Sequence, residues 1–155
     1  MSAANPIRVG QRYLLDTNVV SETVHARPDE GVHAWLNALS LGDLFLSAIS
    51  LGELQYGVER LPAGRRRGAL ATWLERRIGV DFDGRILPFD AVCALLWGGL
   101  MRKSERATGD RKDIDMQIAA IALRHDLVLV TRNTKDFGSL GIQLIDPWTA
   151  GLPPT

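Results

Sequence analysis

Short apolar runs alternate along this chain with longer stretches in which apolar residues recur every three or four positions. The runs "RYLLD" (12–16), "DLFLS" (43–47), "RILPF" (85–89), "LVLVT" (127–131) and "IQLID" (142–146) have the length and apolar density of buried strands. Between them the period lengthens to that of a helix, near 18–26, 29–40, 48–60, 64–79, 90 to about 106, and 114–125. In the 64–79 stretch Leu70, Trp73, Leu74 and Ile78 make one stripe, with arginines outside it. Asp90 stands where it caps the long helix behind it, and either Ser47 or Ser50 can cap the helix of 48–60. Strands that alternate with helices predict an α/β sandwich on a mostly parallel sheet. Residues 1–11 read as an irregular N-terminal extension, 12–149 as a single domain and 150–155 as a tail whose prolines continue no helix.

Composition narrows this picture without changing it. A chain of 155 residues has room for one substantial core, and 46% hydrophobic with 23% charged residues is ordinary globular usage. Eighteen basic residues balance eighteen acidic ones, which argues against a simple polycation that coats nucleic acid. The single cysteine, Cys93, rules out an intrachain disulfide and a zinc site of several thiolates, and its apolar setting "AVCALLW" makes it a core residue. No apolar run reaches the roughly 18 residues of a membrane span, and the amino terminus lacks a signal-peptide pattern. The expectation is a cytoplasmic protein with no membrane partner.

The chemistry concentrates where strands end. In parallel sheets ligands gather outside the carboxyl ends of the strands. Asp16 ends the first strand, and Asn133 and Asp136 follow the fourth. Glu53 and Asp115 lie in early turns of two helices. Each has a plainer role available. Asp16 can cap a helix, Ser50 and Glu53 have capping-box spacing, and Asp115 can complement a helix dipole with Asp113 as the cap. Yet Ser47 as the cap would leave Glu53 inside its helix with nothing to cap. Asp115 shares its helix face with Ile118, Ala119 and Ala122, a stripe that should be buried, whereas Asp113 lies on another face. Buried carboxylates need a cation, a hydrogen-bond network or a raised pKa.

Acids that converge without basic partners point to a hard divalent cation, Mg²⁺ or Mn²⁺, which takes oxygen ligands. His25, His33 and His125 are scattered, which argues against zinc. Such an ion usually serves phosphate chemistry. Asn18 and Thr131 are candidates to orient the acids, with turn and cap chemistry as their alternative. Arg111 and Lys112, just before Asp115, and Arg132, beside Asn133, are candidate phosphate contacts.

The segments "LLDTNVVSE", "LSAISLGELQYGV", "DMQIAAIALRHDLVLVTRNTKDF" and "IDPW" together resemble PIN-domain ribonucleases, and more narrowly the VapC or FitB-like toxins of bacterial type II toxin–antitoxin pairs. The resemblance runs from about Tyr13 to Trp148, with the motifs in the family's order. It implies a three-layer α/β/α fold and a Mg²⁺- or Mn²⁺-dependent endoribonuclease. The family's metal-binding acids fall on Asp16, Glu53 and Asp115. Its fourth position, often Asp, is Asn133 here, and Asp136 is a candidate extra acid. The resemblance also implies an antitoxin partner and a homodimer, the latter suggested as well by surplus apolar surface on the helices at 48–61 and 90–101. Two rivals use the same residues: a weakly catalytic module acting mainly within an autorepressing antitoxin complex, kept open by Asn133, and a metal nuclease directed at DNA.

Overall fold

The computed structural model describes residues 10–108, 112–138 and 140–152, with no side-chain description at 107 and 108. Five parallel strands form one sheet: β1 (Tyr13–Leu15), β2 (Leu44–Ser47), β3 (Ile86–Leu87), β4 (Val128–Val130) and β5 (Leu144–Ile145). Their order is β3-β2-β1-β4-β5, so the chain builds outward from β1 on one side and then returns to build on the other. That reversal puts a topological switch point at the carboxyl ends of β1 and β4, where open α/β sheets form a crevice.

Side chains that alternate across the strands supply two cores. Tyr13, Leu15, Val128 and Val130 face one layer, and Leu14, Leu127 and Leu129 face the other. The first layer holds α1 (Thr17–Glu22), α2 (Glu30–Asn37), α3 (Ala48–Glu59), α4 (Arg65–Trp73) and α5 (Gly79–Asp81). The second holds α6 (Ala91–Thr108), α7 (Asp113–Arg124) and α8 (Thr134–Phe137). This is the α/β sandwich on a parallel sheet that the alternation predicted, in the three-layer α/β/α form that the resemblance implied. Cys93 is fully buried in the second layer.

Several boundaries move for identifiable reasons. The helix expected at 18–26 stops at Glu22, whose buried carboxylate accepts the Asp29 N–H at 2.8 Å and ties back the loop. Asp29 in turn caps α2 through the Val32 N–H. The helix expected at 64–79 ends at Trp73 and passes through a π turn (Leu74–Ile78) into α5. Leu74, Ile78 and Phe82, at four-residue spacing, are all buried in the first core layer. The strands expected at 85–89 and 142–146 pair over only two residues each. Asp90 does cap α6, accepting the Cys93 N–H at 2.9 Å. Asp113 is not the cap of α7 but its first helical residue. Its carbonyl accepts the Trp97 indole N–H, which pins the start of α7 to α6 and fixes where Asp115 stands. Among the described residues no helix is long and apolar enough to cross a membrane.

Candidate active site

Register places the sites of interest. Leu15 pairs with Val130 and Val130 with Ile145, so the residues that follow them, Asp16, Thr131 and Asp146, emerge at one sheet edge. The Asp16 N–H donates to the Val130 carbonyl at 2.9 Å, which extends the ladder to the point where Asp16 leaves it.

Asp16 is only 3% exposed. One carboxylate oxygen accepts the Thr17 N–H at 2.7 Å, and the other accepts the Thr131 hydroxyl at 2.7 Å and the Asn18 amide at 3.4 Å. Asp16 therefore caps α1 and still keeps a side chain in the crevice. Among the described residues no cationic side chain pairs with it. Burial pushes its pKa upward, the bonds from Thr131 and Thr17 hold it back, and the Glu53 charge adds to the rise.

Ser47 caps α3 by accepting the Ser50 N–H at 2.9 Å, so Glu53 lies inside the helix and caps nothing. The Thr17 hydroxyl instead donates to Glu53 at 2.6 Å and lies 2.9 Å from the Ser50 hydroxyl, which is itself 3.1 Å from Ser47. These bonds join the acid after β1 to the acid on α3. Sequence reasoning gave Thr17 and Ser50 only capping roles. The signal that could have found them was their position, each adjacent to or one turn before an acid.

Asp115 is half-buried in the first turn of α7, and Ile118, Ala119 and Ala122 on its face are fully buried as expected. Its pKa is pushed up to about 6 by burial first, then by the charges of Asp16, Asp136 and Glu53, against a lowering by Lys112. Three other acids thus act on Asp115 at electrostatic range. Asp136, on α8, is half-buried and ion-paired with Lys112.

The remaining candidates are placed less evenly. Thr131 is fully buried, and its hydroxyl oxygen accepts the Asn133 N–H at 3.0 Å. The Asn18 amide also reaches Thr131, and its carbonyl accepts the Arg132 N–H, both at 3.4 Å. The Asn133 side chain is exposed and does not cap α8. Arg132 is exposed, with its guanidinium carbon 4.9 Å from the centre of the Trp148 ring. Arg111 lies outside the described residues.

The donor set consists of carboxylate, hydroxyl and amide oxygens, which suits a hard cation and neither zinc nor copper. Among the described residues no three His, Cys, Asp or Glu side chains are disposed to close on one ion as they stand. Mg²⁺ needs no such cage, since it is commonly held through one or two carboxylates with waters completing its shell. A buried acid with no cation beside it, coupled to a second acid whose proton affinity is raised by three others, fits that ion chemically.

Residues 13–141 match the PIN domain family, and the chain belongs to it. It is 38% identical over 135 residues to a VapC ribonuclease of Sinorhizobium fredii, covering 87% of this chain and 96% of that protein. It is 39% identical over 135 residues to Toxin FitB of Neisseria gonorrhoeae, covering 87% and 97%. The crystal structure of FitAcB from Neisseria gonorrhoeae superposes with a TM-score of 0.82 at 40% identity, covering 88% of this chain and 99% of that one.

Proposed function

We propose that this protein is the toxin of a type II toxin–antitoxin pair and an endoribonuclease that requires Mg²⁺ or Mn²⁺. The observation that carries the reading is the acid cluster: Asp16, buried with no cationic side chain paired to it among the described residues, and Asp115, raised to about 6 by burial and by the surrounding carboxylates. In this reading Asp16, Glu53 and Asp115 would share the ion, one or two of them directly and the rest through its waters. Bound there, it would neutralise their repulsion and supply Lewis-acid chemistry to a phosphodiester and to the attacking water. Thr131 and Asn18 aim the Asp16 carboxylate, and Thr17 aims Glu53. Asp136 is the better fourth acid than Asn133, because its charge acts on Asp115 while the Asn133 side chain is turned to solvent. Lys112, ion-paired with Asp136, would meet an RNA phosphate in this reading once that pairing is shared.

The antitoxin has a candidate seat. A groove of about 530 Å³ runs between α1–α2 and the π turn, with Val20, Leu36, Trp73 and Phe82 in its apolar lining and His33 and Arg77 among its polar residues. An antitoxin segment with an apolar face would suit it, and Arg77 and Asp81, already paired with each other, supply charge of both signs at its wall. Val92 and Leu95 on α6 are exposed apolar residues and are the candidate contact for a second copy. An RNA substrate would put the working protein in the cytoplasm.

The test is cleavage of single-stranded RNA and DNA oligonucleotides by the purified chain in EDTA and after Mg²⁺ is restored. The reading expects RNA cut only with the ion present, and no cleavage by Asp16→Asn. Cleavage of DNA with RNA left intact would favour the DNA nuclease instead. Asp16→Asn cutting RNA as fast as the parent would sink the site assignment.

A further inference from the structure

Arg132 sits at the lip of the acidic crevice yet pairs with none of its acids. Its backbone N–H donates to Asn18, and the preceding residue, Thr131, holds Asp16. Among the described residues Arg67, Arg77, Arg102, Lys112 and Arg124 each have a carboxylate partner, whereas Arg132, like Arg12, Arg60 and Arg85, forms no ion pair and lies over a ring. Its guanidinium rests over the Trp148 ring instead. Trp148 is itself fixed. The indole packs, half-buried, against the first core layer, and its backbone N–H donates to the Asp146 carboxylate at 2.9 Å in the turn after β5.

This arrangement has a physical consequence. A free arginine beside several carboxylates would swing toward them and lose its donors to a salt bridge. Stacking on a fixed ring is favourable in its own right and holds the planar group off the acids. The guanidinium then lies against the indole in an exposed residue that directly follows Thr131, the residue that holds Asp16. Unpaired RNA bases stack on aromatic rings and on arginine planes, and such platforms are the usual way proteins hold single strands.

We propose that Arg132, held against Trp148, is a stacking platform for an unpaired RNA base flanking the scissile phosphate. Arg132 touches the substrate, and Trp148 is a positioning residue that acts through it. The inference rests on the ribonuclease reading above and adds a base-binding subsite to it. The chemistry selects single-stranded RNA over duplex, since a paired base offers no free face.

The test separates plane from charge. Arg132→Lys keeps the charge and discards the plane. Trp148→Leu removes the support, and Trp148→Phe restores a ring. KM and kcat are measured with a single-stranded RNA oligonucleotide and Mg²⁺. Binding of the same oligonucleotide to each variant in an Asp16→Asn background, read by fluorescence anisotropy, gives a readout without turnover. The proposal expects KM and Kd to rise about five- to tenfold in Arg132→Lys and in Trp148→Leu, with kcat within about twofold and Trp148→Phe largely rescued. Unchanged KM and Kd in Arg132→Lys, in a parent that cleaves RNA, overturns the platform and leaves the ribonuclease reading standing. Equal loss of kcat in Trp148→Leu and Trp148→Phe also overturns it, since a support for a base does not act on turnover. A parent that cleaves no RNA with Mg²⁺ present overturns the ribonuclease reading and this inference with it.

Discussion

Replacing Asp115 by Asn should make the metal-free protein more stable while it destroys the proposed activity. The carboxyl is raised from the ordinary 3.8 to about 6, chiefly by burial and by the charges of Asp16, Asp136 and Glu53. A group whose folded pKa lies above its unfolded value binds protons more tightly when folded. Its contribution to stability is full below about pH 4 and is lost as pH rises toward and through 6. At about 1.36 kcal/mol per pH unit, the ionised form costs the fold about 3 kcal/mol above pH 6 if fully insulated. Asp115 is only half-buried, so solvent screening reduces this to about 2 kcal/mol. The N-terminus of α7 favours a negative charge and gives back about 0.3–1 kcal/mol. Asparagine has the shape of the protonated acid and none of its charge. Urea denaturation in EDTA, followed by circular dichroism, should find Asp115→Asn about 1–2 kcal/mol more stable than the parent at pH 7.5. At pH 4 the two should agree. With millimolar Mg²⁺ at pH 7.5 the order should reverse, because only the parent gains from binding the ion. A variant less stable than the parent at pH 7.5 in EDTA, or a gain that is the same at pH 4, would refute the coupled-acid reasoning.

Thr131→Val removes the hydroxyl bonded to buried Asp16 and should cost about 1–3 kcal/mol in urea denaturation. Because that bond also holds the Asp16 pKa down, the acid limb of the cleavage pH profile should move to higher pH; an unmoved limb would count against it. Thr17→Val frees Glu53 and should raise the Mg²⁺ concentration for half-maximal cleavage about tenfold, with the fold left intact by circular dichroism. Asp136→Asn should lower cleavage at least tenfold, whereas Asn133→Asp should change it less than about twofold. The opposite ranking would return the fourth position to residue 133.

The layering was legible in the chain because the central strands β1 and β4 are buried on both faces and therefore read as continuous apolar runs. "LVLVT" supplies β4 complete, and both β1 and β2 lie within their predicted segments. The extents of β3 and β5 were not legible, since how far a strand pairs depends on its neighbour and Pro88 closes β3 early. The π turn was equally hidden, because it answers to where the core lies beneath Leu74, Ile78 and Phe82. At the crevice, the carboxylates could be named from the chain because strand ends and helix starts fix their place. The burial expected of Asp115's helix face is found at Ile118, Ala119 and Ala122. What no local pattern announced were the long-range bonds, Thr17 to Glu53 across 36 positions and Thr131 to Asp16 across 115. The Arg132–Trp148 stack belongs to the same class, since it joins the ends of two neighbouring strands.

Calorimetric titration of Mn²⁺ into the metal-free protein tests most directly whether these acids hold a divalent ion. Binding is expected at pH 7.5 in the parent and is expected to vanish in Asp16→Asn. As protons compete for Asp115, affinity should fall by up to about tenfold for each pH unit below 6. No heat of binding at pH 7.5, or the same affinity in Asp16→Asn as in the parent, would contradict the claim.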